Sequence, residues 1–325
     1  MVRVGIVGIG GMGNVHYNNY NYIDGCKVVA AVCGSEKSEE KAREYKIAPY
    51  RNIESMVKNE EVDVIDICTP TYLHKEQVLE SLNLGKHVIV EKPIALHKKD
   101  AEEMFNLAYE KKLLIFVAQV VQFTKESEIL REAVKSGKYG RPLDGYFQRV
   151  SGRPQWIKGD WIFDKEKSGV LPFDLHVHDL DLIISLFGKP KGFNYTCCGK
   201  EELSYKEEYR INYSFENLNV TAEAAWFNCN YPFRASWRVY FERGLMESDG
   251  NTVALYQPNE EPFYYNLEED IIVPTSINLP STGMFYRELY HFISCIEKGV
   301  SSNRISREQI ITGVEIMEKI LTDTK

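Results

Sequence analysis

Gly8, Gly10 and Gly13 stand between an apolar run, Val2–Val7, and the start of a helical pattern. In that setting the spacing Gly-x-Gly-x-x-Gly is phosphate chemistry. One glycine makes the tight turn, one lets the backbone approach a pyrophosphate, and one allows close helix–sheet packing. The helix that follows offers unpaired amide donors and a positive dipole end to the anion. The turn Gly8, Ile9, Gly10, Gly11, Met12, Gly13 is therefore the candidate cofactor cradle. The same glycines also occur in purely structural turns; the strand before and the helix after favour the dinucleotide.

The ribose position is less regular. A site selecting NAD carries an acid about 20 residues past the fingerprint, at the end of the second strand. Here that strand ends Val32-Cys33-Gly34-Ser35, and Glu36 comes late, beside Lys37. Gly34, the Ser35 hydroxyl and the Lys37 cation would accommodate an adenosine 2′-phosphate, although Lys37 is equally a solvated residue in a first helical turn. The balance leans to NADP over NAD.

The elements around these residues follow from periodicity. Strand-length apolar runs at Val2–Val7, Lys27–Cys33, Asp63–Cys68, His87–Val90 and Leu113–Val117 alternate with helical patterns beginning near Met12, Lys37, Asn52, Leu73 and Lys98. Ala48–Tyr50 is a candidate edge strand. Such alternation implies a parallel sheet covered on both faces, a doubly wound α/β Rossmann domain over residues 1–120. After about Gln122 the period changes. A helix ending at Gly137, a strand through Tyr146–Val150 and a buried helix between Pro172 and Gly188 precede period-two, aromatic and β-branched strands from Gly192 to about Asn266. Helices at Met284–Lys298 and Ser306–Leu321 close the chain. Residues 121–325 thus form an α+β domain with an open, largely antiparallel sheet, its last helix able to pack back on the first domain.

Composition bounds the partners. A net charge of −8 is not that of a nucleic-acid binder, while it leaves phosphorylated metabolites open. Cys26, Cys33, Cys68, Cys197, Cys198, Cys229 and Cys295 contain no Cys-x-x-Cys pair, which suits a reducing compartment better than a disulfide framework or a zinc site. The N-terminal run has neither the apolar core nor the cleavage site of a signal peptide. The apolar stretch near residues 113–123 is far short of the roughly 20 residues a membrane span needs. A cytoplasmic location without membrane attachment is expected. The aromatic-rich second sheet has a face that a monomer leaves uncovered, so a homodimer or homotetramer through it is expected as well.

Further motifs carry a resemblance. Thr69–His74 (TPTYLH) follows the fourth strand and Glu91–Ala95 (EKPIA) the fifth. Together with Gly8-x-Gly10-x-x-Gly13-x-x-His16, the segment SGVLPFDLHVHDLD and the late FYRELYHFISCIEKG, they resemble the glucose–fructose oxidoreductase/inositol dehydrogenase/rhizopine-catabolism (Gfo/Idh/MocA) family along essentially the whole chain. The resemblance implies a dinucleotide at the carboxyl ends of the parallel strands, with Thr69, Pro70, His74, Glu91, Lys92 and Pro93 on the cofactor side. It also implies a substrate between the cofactor and the second domain, with Lys92 of Glu-Lys-Pro and the pair Asp174 and His178 lining its pocket.

Physical chemistry can be set beside those assignments. Lys92 sits just past a strand's carboxyl end, and Pro93 restricts it to extended geometry. At about 100° per residue, Asp174, His178 and Asp181 fall on one helix face within about 60°, with His176 nearly opposite. A carboxylate one turn from an imidazole can hold its tautomer for acid/base work; a structural hydrogen-bond network is the bland alternative. A metal site is disfavoured, because His176 and His178 diverge on a helix and Leu180 and Asp181 break the His-x-His-x-Asp-His register. Two positions depart from the family pattern. His176 replaces a frequent glycine and becomes a candidate substrate contact, and Gln122 replaces a common arginine, leaving a charge contact open. Arg153, Trp156 and Trp161 could line a sugar pocket or belong to the core.

The expectation is an NAD(P)-dependent dehydrogenase or reductase acting on a CH–OH group of a sugar, polyol or related small molecule. Lys92, Asp174 and His178 are its catalytic candidates, and Arg153, Trp161 and His176 join them around the substrate. A non-catalytic dinucleotide sensor is the alternative from another class, and a metal-dependent hydrolase a third.

Overall fold

The computed structural model describes residues 1–155, 160–275, 277 and 281–324. The chain divides into two compact units, Met1–Val120 with Glu269–Val314, and Val121–Glu268 with Glu315–Lys325.

The first unit begins with β1 (Val2–Val7), α1 (Gly11–Tyr20), β2 (Cys26–Val32), α2 (Glu36–Glu44), β3 (Ala48–Tyr50) and α3 (Ile53–Asn59). It continues through β4 (Val64–Ile67), α4 (His74–Asn83), β5 (His87–Glu91), α5 (Lys98–Glu110) and β6 (Ile115–Ala118). The strands pair in parallel in the order β3-β2-β1-β4-β5-β6. Helices cover both faces of such a sheet, so β4 is buried at every position and β5 at all but its first. The order reverses between β1 and β4, and that switch point is where open α/β sheets place their ligands.

The second unit holds α6 (Lys125–Ser136), β7 (Pro142–Gly152), α7 (Lys165–Ser168), a π-helical turn (Pro172–His176) and α8 (Val177–Phe187). Its remaining strands are β8 (Gly192–Cys198), β9 (Glu208–Ser214), β10 (Asn219–Phe227), β11 (Arg234–Phe241), β12 (Gly244–Ser248), β13 (Val253–Tyr256) and β14 (Phe263–Tyr264). Among the described residues they form one sheet in the order β14-β13-β12-β11-β7-β10-β9-β8. It is antiparallel except for the β7–β10 pair. Phe147, Tyr209, Tyr213, Trp226 and Trp237 are buried in this unit. Residues alternating with them, Tyr146, Gln148, Arg210, Glu223 and Arg238, make a polar network instead. Gln148 Nε2 donates to Glu223 at 3.0 Å, Tyr146 donates to the same carboxylate, and Arg238 lies over the Tyr146 ring. Those five aromatic residues therefore belong to the core, while Tyr240, Phe263 and Tyr264 stay exposed.

The last elements are α9 (Met284–Lys298) and α10 (Arg307–Asp323), and the boundary between the units falls inside α10. The sequence assigns all of 121–325 to the second domain; the structure instead folds Glu269–Val314 into the first unit. The cause is the apolar stripe Phe285, Leu289, Phe292 and Ile293, buried as α9 packs against α1 and β1. Phe292 stacks on Phe116 of β6 with ring centroids 5.0 Å apart. No helix among the described residues is long and apolar enough to cross a membrane.

If α9 completes the core of the first unit, Phe292→Ala should lower its stability by about 3–5 kcal/mol, the usual cost of deleting a buried phenylalanine. Urea unfolding measures this; a loss under ~1 kcal/mol would mean α9 is only loosely docked.

Candidate functional site

The glycine turn is built by close approach. Gly8 has φ +88°, a left-handed conformation that favours glycine. A Cβ on Gly13 would lie 2.1 Å from the Gly8 carbonyl oxygen, so only a hydrogen fits there. Gly10 and Gly11 are different: a Cβ on either would meet nothing within 4 Å. The N-terminus of α1 has no side-chain cap and no acid in its first turn. An uncapped, acid-free helix start with open space over two glycines fits a dinucleotide pyrophosphate. Ile9 is buried and Met12 half-buried, so these two contribute backbone rather than reach.

At the end of β2, Ser35 caps α2. Its hydroxyl accepts from the Ser38 amide, and the Ser38 hydroxyl accepts from the Ser35 amide. Lys37 is exposed in the first turn of that helix. The Ser35 hydroxyl thus already has a structural task, accepting one amide, while Lys37 is exposed beside it.

The loops after β4 and β5 are tied together. His74, 1% exposed, sets Nδ1 2.9 Å from the Pro93 carbonyl oxygen and Nε2 2.8 Å from that of Thr69. Burial pulls its pKa down against the pull of those two carbonyls, which can only accept. Both ring nitrogens are occupied, so His74 positions the Thr69–Pro70 and Pro93 segments and has no nitrogen left for a cofactor. That corrects its assignment as a direct contact. The Thr69 hydroxyl donates to Gln77. Lys92 is half-buried, its amide donates to Glu91 Oε2 at 3.0 Å, and its bond to Pro93 is cis.

Beneath these loops lies a cluster that sequence reasoning did not assemble. His16 and Asp66 are fully buried, with His16 Nδ1 2.8 Å from Asp66 Oδ2. Tyr20 donates to the same oxygen at 2.9 Å, and the Cys68 thiol lies 3.4 Å from the ring. On the other side Nε2 is 3.1 Å from Glu91 Oε1, a contact with ion-pair distance but not the alignment of a hydrogen bond. Burial alone would lower the His16 pKa; the adjoining Asp66 charge and the Cys68 contact outweigh it and hold it well above the ordinary histidine value. His16, Asp66 and Cys68 have donor atoms within 4.8 Å of one another, the spacing of a metal set, yet hydrogen bonds among themselves and to Tyr20 already engage them. The available signal was Asp66 itself: a carboxylate inside the buried strand VIDI requires a partner.

In the second unit, Gly169 and Val170 both take positive φ, +71° and +47°. For a buried β-branched residue that conformation is strained by roughly 1–3 kcal/mol, and it turns the chain into the π-helical segment starting at Pro172. A wide turn of this kind replaces the regular helix expected there. Among residues Leu171–Ile184, only Asp174 and His178 remain partly exposed. His176 goes the other way. It is 0% exposed, and Nε2 lies 2.7 Å from the Tyr213 hydroxyl. The helical-wheel geometry placed it opposite His178, and burial against β9 removes it as a substrate contact.

Asp181 also leaves the expected face. It accepts from Gln122 Nε2, whose Oε1 accepts from Arg131 and from Ser185. The cation that Gln122 lacks is thus supplied to the same network by Arg131. Asp179 is held by Arg149 through two bonds of 2.9 and 3.1 Å. Arg153 lies 4.2 Å over the Phe163 ring, and Trp161 is half-buried along a cleft with Phe163 and Ser204. Trp156 lies outside the described residues.

Two measurements follow. An acid at a helix start favours the helix but repels a pyrophosphate. Gly11→Asp should therefore keep the melting temperature while lowering dinucleotide affinity tenfold or more by titration calorimetry, whereas Gly13→Ala should lower the melting temperature. Unchanged affinity in Gly11→Asp would make the turn purely structural. The second concerns His176, whose pKa burial, reinforced by Arg149, drops from 6.5 to about 3. The unfolded chain accepts a proton that the native state refuses. This group's stability is complete above about pH 6.5 and is lost as pH falls towards 3, by up to ~1.4 kcal/mol per pH unit. His176→Gln should flatten the pH dependence of the urea midpoint between pH 6 and 4. Equal slopes for variant and parent would refute the assignment.

Residues 2–119 match the family described as "Oxidoreductase family, NAD-binding Rossmann fold", and residues 128–247 match the "GFO/IDH/MocA C-terminal domain". The 2,7-anhydro-N-acetylneuraminate hydratase of Escherichia coli is 30% identical over 189 residues, 58% of this chain and 50% of that protein. The myo-inositol 2-dehydrogenase of Thermotoga maritima is 27% identical over 194 residues, 58% of this chain and 55% of that protein. The chain thus spans about half the length of both curated relatives. A solved oxidoreductase from Agrobacterium radiobacter, described in complex with NAD+, L-tartaric acid and magnesium, superposes with a TM-score of 0.86 at 15% identity, covering 100% of this chain and 97% of its own. With both of its domains matched in order, and with a six-stranded parallel Rossmann sheet ahead of a mixed C-terminal sheet, the chain belongs to the Gfo/Idh/MocA oxidoreductase family.

Proposed function

We propose that this chain is an NAD(P)-dependent oxidoreductase that moves a hydride between nicotinamide and a carbinol or carbonyl carbon of a sugar, polyol or related small molecule. The observation that carries the reading is the partial exposure of Asp174 and His178 among buried neighbours from Leu171 to Ile184. Polar groups held on such an element are costly unless they meet a polar partner. The partly open faces of Asp174 and His178 suit a hydroxylated substrate, the class that this family membership suggests.

When bound, the nicotinamide supplies or accepts the hydride. The protein's own groups hold the substrate and manage the proton. His178 takes the hydroxyl proton during oxidation and returns it during reduction. Lys92 stabilises the negative charge that develops on the same oxygen. Asp174, one turn before His178, orients the imidazole and accepts from a neighbouring hydroxyl. Arg153 and Trp161 provide a flat cation and an aromatic face suited to a sugar ring. For the dinucleotide, Gly34 and the Lys37 cation support NADP. The capping role of Ser35 occupies one lone pair of its hydroxyl, and the NAD+ in the Agrobacterium relative supports NAD.

One relative is named a hydratase, so the test must read the nicotinamide directly. Sugars and polyols are screened with NAD+ and NADP+, and the absorbance of reduced nicotinamide is followed. With the substrate that responds, Lys92→Met and His178→Ala should each lower turnover by about a hundredfold or more while dinucleotide affinity persists. Near-parent turnover in both variants would overturn the proposal.

A further inference from the structure

The second unit holds a cation that no anion takes up. Arg153 directly follows β7 and is half-buried. Its guanidinium carbon lies 4.2 Å from the centre of the Phe163 ring and 5.8 Å from that of Tyr205. Phe163 and Tyr205 stack on one another at 5.6 Å, and Trp226 meets both edge-on. Such ring contacts hold a guanidinium by its flat face and leave the N–H donors at its rim for other partners. Among the described residues those side-chain donors have no hydrogen bond or ion pair. Arg131, Arg149 and Arg287, by contrast, are each taken up by an amide or carboxylate oxygen.

An acid stands in the same corner without closing on Arg153. Burial raises the Tyr205 pKa; Arg153 opposes that rise and Glu207 adds to it, so both charges act on the one hydroxyl. Glu207 Oε2 accepts from the Lys200 amide at 3.1 Å. Its Oε1 and the Tyr205 hydroxyl are buried oxygens with no hydrogen-bond partner among the described residues. Leaving two such atoms unmet is costly. A molecule that brings both an acceptor and a donor to this corner satisfies all three side chains.

That requirement defines its chemistry. The guanidinium fork matches a planar carboxylate through two parallel bonds, and a protonated tyrosine is a further donor to it. The Glu207 carboxylate can only accept, so it calls for a hydroxyl, and its charge repels a dianion such as a phosphate monoester. There is room alongside: Phe163 and Ser204, the residue before Tyr205, line a cavity of about 520 Å³. The two lysines on that cavity are already engaged, Lys165 with the Thr324 carbonyl at 3.3 Å and Lys167 with Asp164 at 3.1 Å.

We propose that Arg153, held flat by Phe163 and Tyr205, seats the carboxylate of a hydroxylated acid, with a hydroxyl of the same molecule directed to Glu207. This rests on the placement of Arg153 around the substrate proposed above, and it narrows that substrate from sugars and polyols in general to sugar acids.

The test is titration calorimetry on the full chain without dinucleotide. D-glucuronate, D-galacturonate and D-gluconate are compared with D-glucose, D-galactose and D-glucitol, and with D-glucose 6-phosphate. At least one acid should bind tenfold or more tighter than its neutral counterpart and than the phosphate. Arg153→Lys keeps the charge but loses the fork, and should weaken that acid about tenfold or more. Tyr205→Phe should weaken it about threefold while raising the melting temperature, because it deletes a buried hydroxyl that lacks a partner. A purely structural tyrosine would show the reverse, a lower melting temperature and unchanged affinity. Acids that bind no better than neutral sugars or the phosphate, or an Arg153→Lys variant of unchanged affinity, overturn the proposal. Should the variants fail to fold, phenylglyoxal modification of the unaltered chain, read by mass spectrometry, decides it. The acid should protect Arg153 and leave exposed Arg43 reactive; equal reaction with and without acid overturns it. Acid binding without hydride transfer would defeat the function proposed above and leave this site standing. Hydride transfer on neutral sugars, with no acid bound, would do the opposite.

Discussion

At Gly13 any side chain would place a carbon 2.1 Å from the Gly8 carbonyl oxygen. That single contact lets α1 start against the end of β1, and much follows from it. The helix start is left uncapped, facing the open side of Gly10 and Gly11. One turn further on, the same helix carries His16 to Asp66 of β4 and Glu91 of β5. The glycine turn and β5, the strand that ends just before Lys92, are thereby joined by one side chain. Their relation does not depend on surface loops.

Buried charge organises both units. A desolvated carboxylate without a partner is strongly destabilising, whereas one with well-placed donors holds its elements in a single arrangement. In the first unit the partners are His16 and Tyr20. In the second, Arg149 grips Asp179, and Arg131 acts through Gln122 on Asp181. The second pair of networks turns two of the three acids in the Asp174–Asp181 segment inward. Only Asp174 is left beside His178 at partial exposure. What looks in sequence like an unusually polar helix is a largely buried helix whose Asp179 and Asp181 are satisfied in the interior.

Much of this was legible beforehand. The first five parallel strands, the short edge strand at Ala48–Tyr50, the turn into α1 and the α9 span were readable within a residue or two, because period-two and period-3.6 patterns report local geometry. The polar faces of the second unit were less so. Tyr146, Tyr209 and Tyr213 are the same residue type, and only the strand register of β7, β9 and β10 decides which of them enters the core. His74 was readable as part of a motif but not as a brace, since its partners are the carbonyls of Thr69 and Pro93, five and nineteen residues away. His176 was a candidate substrate contact because it replaces a frequent family glycine, and only its burial against Tyr213 shows otherwise.

By itself, the sequence determined the class of the protein: glycine spacing after a strand, alternation of strand and helix, and ordered motifs along the chain are all local or one-dimensional quantities. Tertiary structure alone decided which charged side chains pair in the interior and which stay partly exposed. A hydrogen bond needs its partner within about 3 Å, so the fate of Asp66, Asp179, Asp181 and His176 depends on residues brought near by folding. Chain order carries no record of those distances.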